Sequence, residues 1–369
     1  MSPSSKNIKV LSITYGFIDV NRGTPIRIQN LIKGLSAYPD CEVHVATLDD
    51  LLPVTDVSHI KLPRNKFKAI KLLSSYVFKN NIDVLIGHTL LCYSLILPVK
   101  VITRKKVILE MHGFIEDEDL LAQKISNYKY RLLKFKHNLI YKFFDLITTC
   151  SDTATDILRE HNSNVATIFG GCDVKLFNPE AKREFNFKTN ENELVIGYAG
   201  NTRIWQGLDF LLEVFSELHT KDQTFKLALL LSEATNLQEL PGVSVISSLE
   251  HHHVPNFLNC CDVLIIPRLK NRVNDISFPS KLPEYLAMGK PVVASYTSDT
   301  FKIIDDGESG VLFEPGNKQE LIDKLMTLKD KNLRNKLSEN ARYLSESKLN
   351  WTVQSAILYK QLINLKVHG

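Results

Sequence analysis

Residues 277–295 read Ser-Phe-Pro-Ser-Lys-Leu-Pro-Glu-Tyr-Leu-Ala-Met-Gly-Lys-Pro-Val-Val-Ala-Ser. A Pro-Ser turn opens a short helix that stops at Gly289, and Pro291-Val292-Val293-Ala294 then reads as a buried strand. Ser280 has the chemistry of an N-cap, and Gly289 has the place of a C-terminal capping glycine. A helix start offers unpaired backbone N–H groups and a partial positive charge, and Lys281 adds a full one, so this end suits an anion such as a diphosphate. Glu284, about one turn further on, faces the same side and can accept from two neighbouring hydroxyls, as on a ribose.

The same alternation of apolar run and helical pattern extends outward in both directions. In the first half the candidate strands are Ile8–Ile13, Glu42–Thr47, Ile82–Gly87, Val107–Met111, Leu146–Thr149 and Val165–Phe169. In the second half they are Leu194–Tyr198, Phe225–Leu231, Val243–Ile246, Asp262–Ile266, Val292–Ala294 and Gly310–Phe313. That rhythm predicts βαβ units and a parallel sheet, twice over. Between the two sets, Pro179–Glu193 is charged and aperiodic, like a linker. A chain of 369 residues also exceeds a typical single core. The predicted fold class is therefore α/β, with two Rossmann-like, doubly wound parallel-sheet domains facing across a cleft where ligands meet the strand C-terminal ends. The first domain spans 1–180 and is joined by a closing helix at 350–369; the second spans 181–349. In the closing helix Trp351, Val353, Ile357, Leu358 and Leu362 fall at helical spacing.

Composition narrows the functional classes. The net charge of +4 is unevenly shared: residues 1–185 carry 25 Lys and Arg against 19 Asp and Glu, and the remainder carries 20 against 22. Two stretches of the basic half, Lys61–Lys79 and Asp119–Phe144, mix lysines with large apolar residues. Such helices either cover a sheet or lie peripherally on an anionic membrane face. The concentrated charge and interleaved aromatics of nucleic-acid binding are not evident. The six cysteines have no C-x-x-C spacing, which predicts reduced thiols in a cytoplasmic chain. No signal-peptide core or membrane-spanning run is present in the sequence.

Several other constellations sit where strands hand over to helices. Gly23-Thr24-Pro25 follows the first strand and the loop from Tyr15, with Thr24 as a cap and Pro25 at the first helical position. The G-x-G-x-x-G spacing of a dinucleotide site is absent, which disfavours an NAD-dependent oxidoreductase. His112 follows a strand and can donate to a sugar hydroxyl; a partly buried structural histidine is the plainer reading. The acidic run Glu116–Asp119 suits a helix start better than a metal. Gly200-Asn201-Thr202-Arg203 follows a strand, and Arg203 can bind a diphosphate bidentately. His251-His252-His253 point in different directions on a helix, so a solvated helix start is favoured over a metal site.

Together these patterns resemble the retaining glycosyltransferases of family 4, which have the GT-B fold. Gly23-Thr24-Pro25-Ile26-Arg27-Ile28 resembles the family's first glycine loop, and Glu110-Met111-His112-Gly113 its histidine motif. Gly170-Gly171-Cys172-Asp173 with Phe177 and Pro179 is similar to its N-G-V-D…F-x-P element. Gly200 through Gly207 resembles its G…K-G loop, and Lys281, Glu284, Ala287, Gly289, Lys290 and Pro291 match its K-x-x-E-x-x-A-x-G-K-P signature. The resemblance implies a nucleotide-diphosphate-sugar donor such as a UDP- or GDP-sugar, a glycan or lipid-linked acceptor, no required metal and no other cofactor. It implies that Glu284 holds the ribose, that Arg203, Lys281 and the amides from Ser280 to Leu282 hold the diphosphate, and that His112 contacts the donor sugar. Gln206 stands where the family has lysine, and Ile276 where it has the first glutamate, with Asp275 as an out-of-register substitute. A sugar-nucleotide 2-epimerase of the same fold and a catalytically silent nucleotide-binding scaffold are the rival readings.

Overall fold

The computed structural model describes residues 8–14, 23–48, 54, 57–232 and 240–367. The loop from Tyr15 to Arg22 singled out above lies outside them. The chain divides into two compact units, Met1–Phe169 with Trp351–Gly369, and Gly170–Asn350.

The first unit holds a sheet of β1 (Ile8–Thr14), β2 (Cys41–Thr47), β3 (Ser58–Lys61), β4 (Val84–His88), β5 (Lys106–Glu110), β6 (Leu146–Thr149) and β7 (Val165–Thr167). Its order is β3-β2-β1-β4-β5-β6-β7. All pairings are parallel. The connecting helices are α1 (Gly23–Ser36), α2 (Lys66–Asn80), α3 (Tyr93–Thr103), α4 (Ile115–Leu121), α5 (Asn127–Tyr141) and α6 (Asp152–Arg159). Helix α1 starts at Gly23, so Thr24 and Pro25 both lie inside its first turn instead of at the cap and first position. Proline is tolerated there because the N–H groups of a first turn have no intrahelical acceptor.

The second unit holds β8 (Leu194–Gly200), β9 (Phe225–Leu231), β10 (Val243–Ser247), β11 (Val263–Ile266), β12 (Val292–Ser295) and β13 (Val311–Phe313), in the order β10-β9-β8-β11-β12-β13. Its helices are α7 (Leu208–Lys221), α8 (Val254–Leu258), α9 (Arg272–Ile276), α10 (Lys281–Ala287), α11 (Thr300–Ile303), α12 (Lys318–Thr327) and α13 (Lys331–Lys348). The central strands are apolar on both faces because helices cover both, as a parallel sheet requires.

The aperiodic stretch after Pro179 is not a free linker, for it is pinned to the second unit. Asn259 Nδ2 donates to the carbonyls of Pro179 (3.1 Å) and Ala181 (2.5 Å). Phe185 and Phe187 stack on each other and meet Phe257 edge-on. The division falls before this stretch, between Phe169 and Gly170.

Helix α14 (Trp351–Val367) packs on α1 in the first unit. Leu358 and Leu362 join that unit's core, Tyr359 stacks on Tyr38 with ring centroids 4.0 Å apart, and Lys366 pairs with Asp83 at 2.8 Å. Closest approach comes at Gly34, where a Cβ would lie 1.9 Å from Ser355 Oγ and 2.4 Å from its Cβ. Gly34→Ala therefore overpacks this crossing, and we expect a loss of about 1–3 kcal/mol. Ser355→Gly in the same chain should restore most of it. Denaturant unfolding of the two single variants and the double variant checks this; an undiminished loss in the double variant would show that the contact is not the cause.

Candidate functional site

In the second unit the C-terminal ends of β8 and β11 meet the start of α10. Tyr285, fully buried on α10, bonds the end of β8: its hydroxyl accepts from the Ala199 amide at 2.7 Å and lies 3.2 Å from the Ala199 carbonyl. That clamp brings Lys281 over the strand. Its Nζ stands 4.0 Å from the Tyr198 ring centroid, and a Cβ on Gly200 would lie 2.4 Å from the same amine. Lys281 is only 8% exposed, and among the described residues its Nζ has no hydrogen-bond partner. Burial holds its pKa well below the ordinary lysine value, and the Arg268 guanidinium lowers it further, against the opposing pull of Glu284. Arg268 follows β11, is itself buried, and donates from Nη1 to the Ser277 carbonyl at 3.0 Å. Two buried basic side chains thus share this corner, and a cation–π contact is worth only about 2 kcal/mol when desolvated. The arrangement is suited to receiving an anion.

Glu284 lies one turn along α10, and its Oε1 is 2.9 Å from His251 Nε2. His251 begins a one-turn 3₁₀ helix with His252 and His253 and leans on the buried Phe177 ring at 5.3 Å. Burial would push its pKa down, but the hydrogen bond and charge of Glu284 prevail and hold it above the ordinary value. Phe177 is set by the Asp173 turn, whose Oδ1 accepts from the Lys175 and Leu176 amides. Arg342 donates to the carbonyls of Phe177 and Val174 and fixes the loop. The histidine tract is therefore no simple solvated helix start: its first member partners the carboxylate of the signature helix.

The other expected residues are placed less uniformly. Ser280 has helical backbone angles (φ −58°, ψ −25°) and is exposed, and its hydroxyl caps nothing, contrary to the expectation. A side chain reaches the amides two and three residues on only from an extended cap backbone. Leu282 is wholly buried and its amide already donates to the Pro279 carbonyl at 3.0 Å. Gly289 does end the helix, in the left-handed conformation (φ 58°) expected of a capping glycine. Arg203 is exposed over the Trp205 ring at 5.1 Å. Gln206 is buried, with Oε1 unpartnered among the described residues. Next to it Gly207 (φ 74°) crosses so close that a Cβ would lie 1.8 Å from the Pro267 carbonyl oxygen. Asn274, fully buried, ties this loop to the end of β11 by donating to the Trp205 and Leu269 carbonyls at 2.8 and 2.7 Å. Asp275, its neighbour on α9, is half-buried, and burial raises its pKa. Ile276 faces the core.

In the first unit the strand ends gather around Glu110, which has no exposed surface. Arg27 donates from Nε to Glu110 Oε1 at 2.7 Å and from its two terminal nitrogens to the carbonyls of Phe169 and Ile168. His88 Nδ1 is 3.1 Å from Glu110 Oε2, and its Nε2 is 2.7 Å from Ser12 Oγ. His112 Nε2 comes within 2.6 Å of Glu110 Oε2, with the ring partly exposed. Burial alone would raise the Glu110 pKa, but His112, Arg27 and His88 hold it well below the ordinary range. Gly23 and Thr24 sit at the start of the helix that carries Arg27. His88, Glu110 and His112 are spaced as three metal ligands would be. The guanidinium nonetheless already neutralises the carboxylate, leaving a donor set better suited to aiming His112.

Sequence reasoning singled out Lys281, Glu284 and His112 as candidates through their motifs. It missed Arg268 and the roles of Arg27 and His251, because nothing in a single sequence distinguishes a buried cation or histidine from a surface one.

Residues 180–343 match the family model "Glycosyl transferases group 1". Over 372 aligned positions the chain is 25% identical to an uncharacterized glycosyltransferase of Methanocaldococcus jannaschii, covering 93% of this chain and 95% of that one. It is 28% identical over 192 positions to a putative teichuronic acid biosynthesis glycosyltransferase of Bacillus subtilis, covering 48% and 47%. Among solved structures, a glycosyltransferase from Rickettsia africae is similar with a TM-score of 0.76, at 17% identity over 97% of this chain and 98% of that one. The Anabaena protein HepE in complex with UDP is similar with a TM-score of 0.74, at 15% identity over 97% and 100%. These structural likenesses identify the architecture as the GT-B fold.

The His251–Glu284 pair makes a checkable statement about protonation. Because the folded pKa of His251 is raised, the pair's contribution to stability is complete below about pH 6.5, the unfolded value, and is lost as pH rises through the folded one. In Glu284→Gln burial outweighs what remains, so the His251 titration midpoint should fall relative to wild type. Side-chain NMR titration measures it, and an unmoved midpoint would mean the two groups are not coupled.

Proposed function

We propose that the protein is a glycosyltransferase of the retaining family 4 kind, which moves a sugar from a nucleoside-diphosphate donor to a hydroxyl of a glycan or lipid-linked acceptor. The observation that carries this reading is the buried Lys281 amine, without a hydrogen-bond partner among the described residues, beside Arg268 and one helical turn from the Glu284 carboxylate. The spacing of cation and acid on one short helix suits a diphosphate joined to a ribose. The group 1 family match over this unit and the glycosyltransferase relatives support it, and the UDP complex of HepE makes a uridine nucleotide the first to try.

In this reading Lys281 and Arg268 bind the diphosphate, and Glu284 accepts from the ribose hydroxyls in place of His251. As the sugar–phosphate bond breaks, negative charge builds on the departing phosphate. Cations already fixed in a water-poor corner stabilise that charge with little reorganisation. The reading thus assigns charge neutralisation to these side chains and requires no metal ion. His112, aimed by Glu110, is the proposed contact to the transferred sugar. Gln206 replaces a cation with a neutral amide, which leaves Lys281 and Arg268 the larger share.

Titration calorimetry with UDP, GDP, ADP and their nucleosides tests the assignment. Lys281→Ala should weaken the bound diphosphate about 10- to 100-fold while leaving the nucleoside unchanged, as expected for loss of one charged hydrogen-bonding partner. Glu284→Ala should weaken both. An anion beside Lys281 raises its proton affinity, so above the free-state pKa binding should take up a proton, and affinity should increase as pH falls from the alkaline range. Incubation with a donor and a glycan or lipid extract should release nucleotide only when acceptor is present. Equal losses for diphosphate and nucleoside in Lys281→Ala, or full activity in Glu284→Ala, would overturn the assignment.

A further inference from the structure

Helix α5 is amphipathic in the wrong direction for a helix that only covers a sheet. Its buried residues are His137 and Tyr141. Leu133 and Ile140 are partly buried, but a second set of large apolar residues points outward: Tyr128 is 79% exposed, Leu132 56%, Phe135 64%, Leu139 45%, and Phe143, in the turn that ends the helix, 61%. These positions advance by four, three, four and four residues. At about 100° per residue they form one narrow ridge on the side opposite His137. Exposed Arg131 and Lys142 flank it on one side, and exposed Lys129 and Lys136 on the other. The acids beneath do not offset them. Glu116 and Asp117 of α4 are buried under α5, at 3.0 Å from His137 Nδ1 and 2.9 Å from the Tyr130 hydroxyl respectively.

The ridge continues onto neighbouring helices. α2, α3 and α5 connect β3 to β4, β4 to β5 and β5 to β6, all advancing the same way along the sheet. Right-handed crossovers therefore place them on one face, opposite α1 and α14. Lys100 of α3 donates to the Phe143 carbonyl at 2.7 Å and Lys136 of α5 to the Tyr93 hydroxyl at 2.7 Å, while α2 packs on α3. Val101 (78% exposed) and Ile102 (52%) on α3, and Phe67 (84%) and Phe78 (56%) on α2, add apolar surface to the same side. Helices α2, α3 and α5 contain no aspartate or glutamate.

We propose that this face docks on the surface of an anionic phospholipid bilayer, with the α5 ridge in the boundary between headgroups and acyl chains and the flanking lysines and arginine on the phosphates. The charge pattern selects the occupant. A second copy of the chain would bring an equally basic face to a basic one, whereas an anionic surface complements it. An apolar ridge between two basic rows matches an interface that is oily within and charged at its rim. None of the described helices is long and apolar enough to cross a bilayer, so the contact is peripheral. This inference does not rest on the donor reading.

The test is co-sedimentation of the full chain with vesicles of phosphatidylcholine alone, or with one third phosphatidylglycerol. We expect binding to the anionic vesicles, weakening with added salt as exposed charges are screened. The variant Leu132→Ser/Phe135→Ser/Leu139→Ser should bind at least about tenfold more weakly, since it removes three large apolar side chains from the buried contact. Its thermal midpoint should stay near wild type because all three residues are exposed. A Phe135→Trp reporter should shift its emission to the blue on anionic vesicles, whereas Tyr343→Trp, exposed on the second unit, should not. Equal binding to neutral vesicles, no binding, wild-type sedimentation of the triple variant or an unmoved Phe135→Trp spectrum would each overturn the proposal. So would a lipid-free dimer that the triple variant dissolves, or displacement from vesicles by an oligonucleotide in preference to lipid.

Discussion

The Arg27–Glu110 ion pair fixes the functional end of the first unit. A carboxylate without solvent must be compensated in place, and losing one partner of such a pair costs about 3–5 kcal/mol. Arg27 reaches Glu110 from α1 and, with its remaining nitrogens, the backbone just past β7. One guanidinium thereby joins the helix after β1, the end of β5 and the approach to the second unit's sequence. His88 and His112 converge on the same carboxylate. The orientation of His112 is consequently a property of the core, not of a loop.

The second unit leaves the equivalent problem open. Lys281 and Arg268 are buried near each other, and the nearest acid, Glu284, bonds His251 instead. A protein that only needed stability would gain by replacing such a cation with an apolar residue. In the proposed function this amine, without a hydrogen-bond partner among the described residues, is what receives the anion, and Tyr285 and Gly200 are the parts that keep it from retreating.

Much of the architecture is readable from periodicity, because a strand buried on both faces must be a continuous apolar run. β3 escaped because Ser58-His59-Ile60-Lys61 is a short edge strand, half polar and only partly buried. The signature helix was legible because lysine, glutamate and capping glycine sit at fixed intervals along it. What could not be read were contacts closed by the fold. Arg268 lies 13 positions before Lys281, and His251 lies 33 before Glu284, with no periodic relation to either. The stretch after Pro179 looked like a linker because its two phenylalanine contacts to Phe257 and its two carbonyl–Asn259 bonds reach a helix and its end some 75 residues away. Helix α5 was ambiguous in one dimension, since a basic amphipathic pattern is the same string whichever way its apolar side faces.

Helix α14 gives the first unit a broken chain order: the unit opens with Met1–Phe169 and is completed by residues that come after the whole of Gly170–Asn350. On the ribosome, the second unit is contiguous and can close as soon as it emerges, because domains fold as units during synthesis. The first unit cannot finish then. The groove on α1 that receives Leu358 and Leu362, and the close approach at Gly34, stay uncovered while about 180 further residues are made. The nascent protein thus carries an unsealed apolar seam throughout that interval, a window in which the exposed surface is open to chaperones before the last helix covers it.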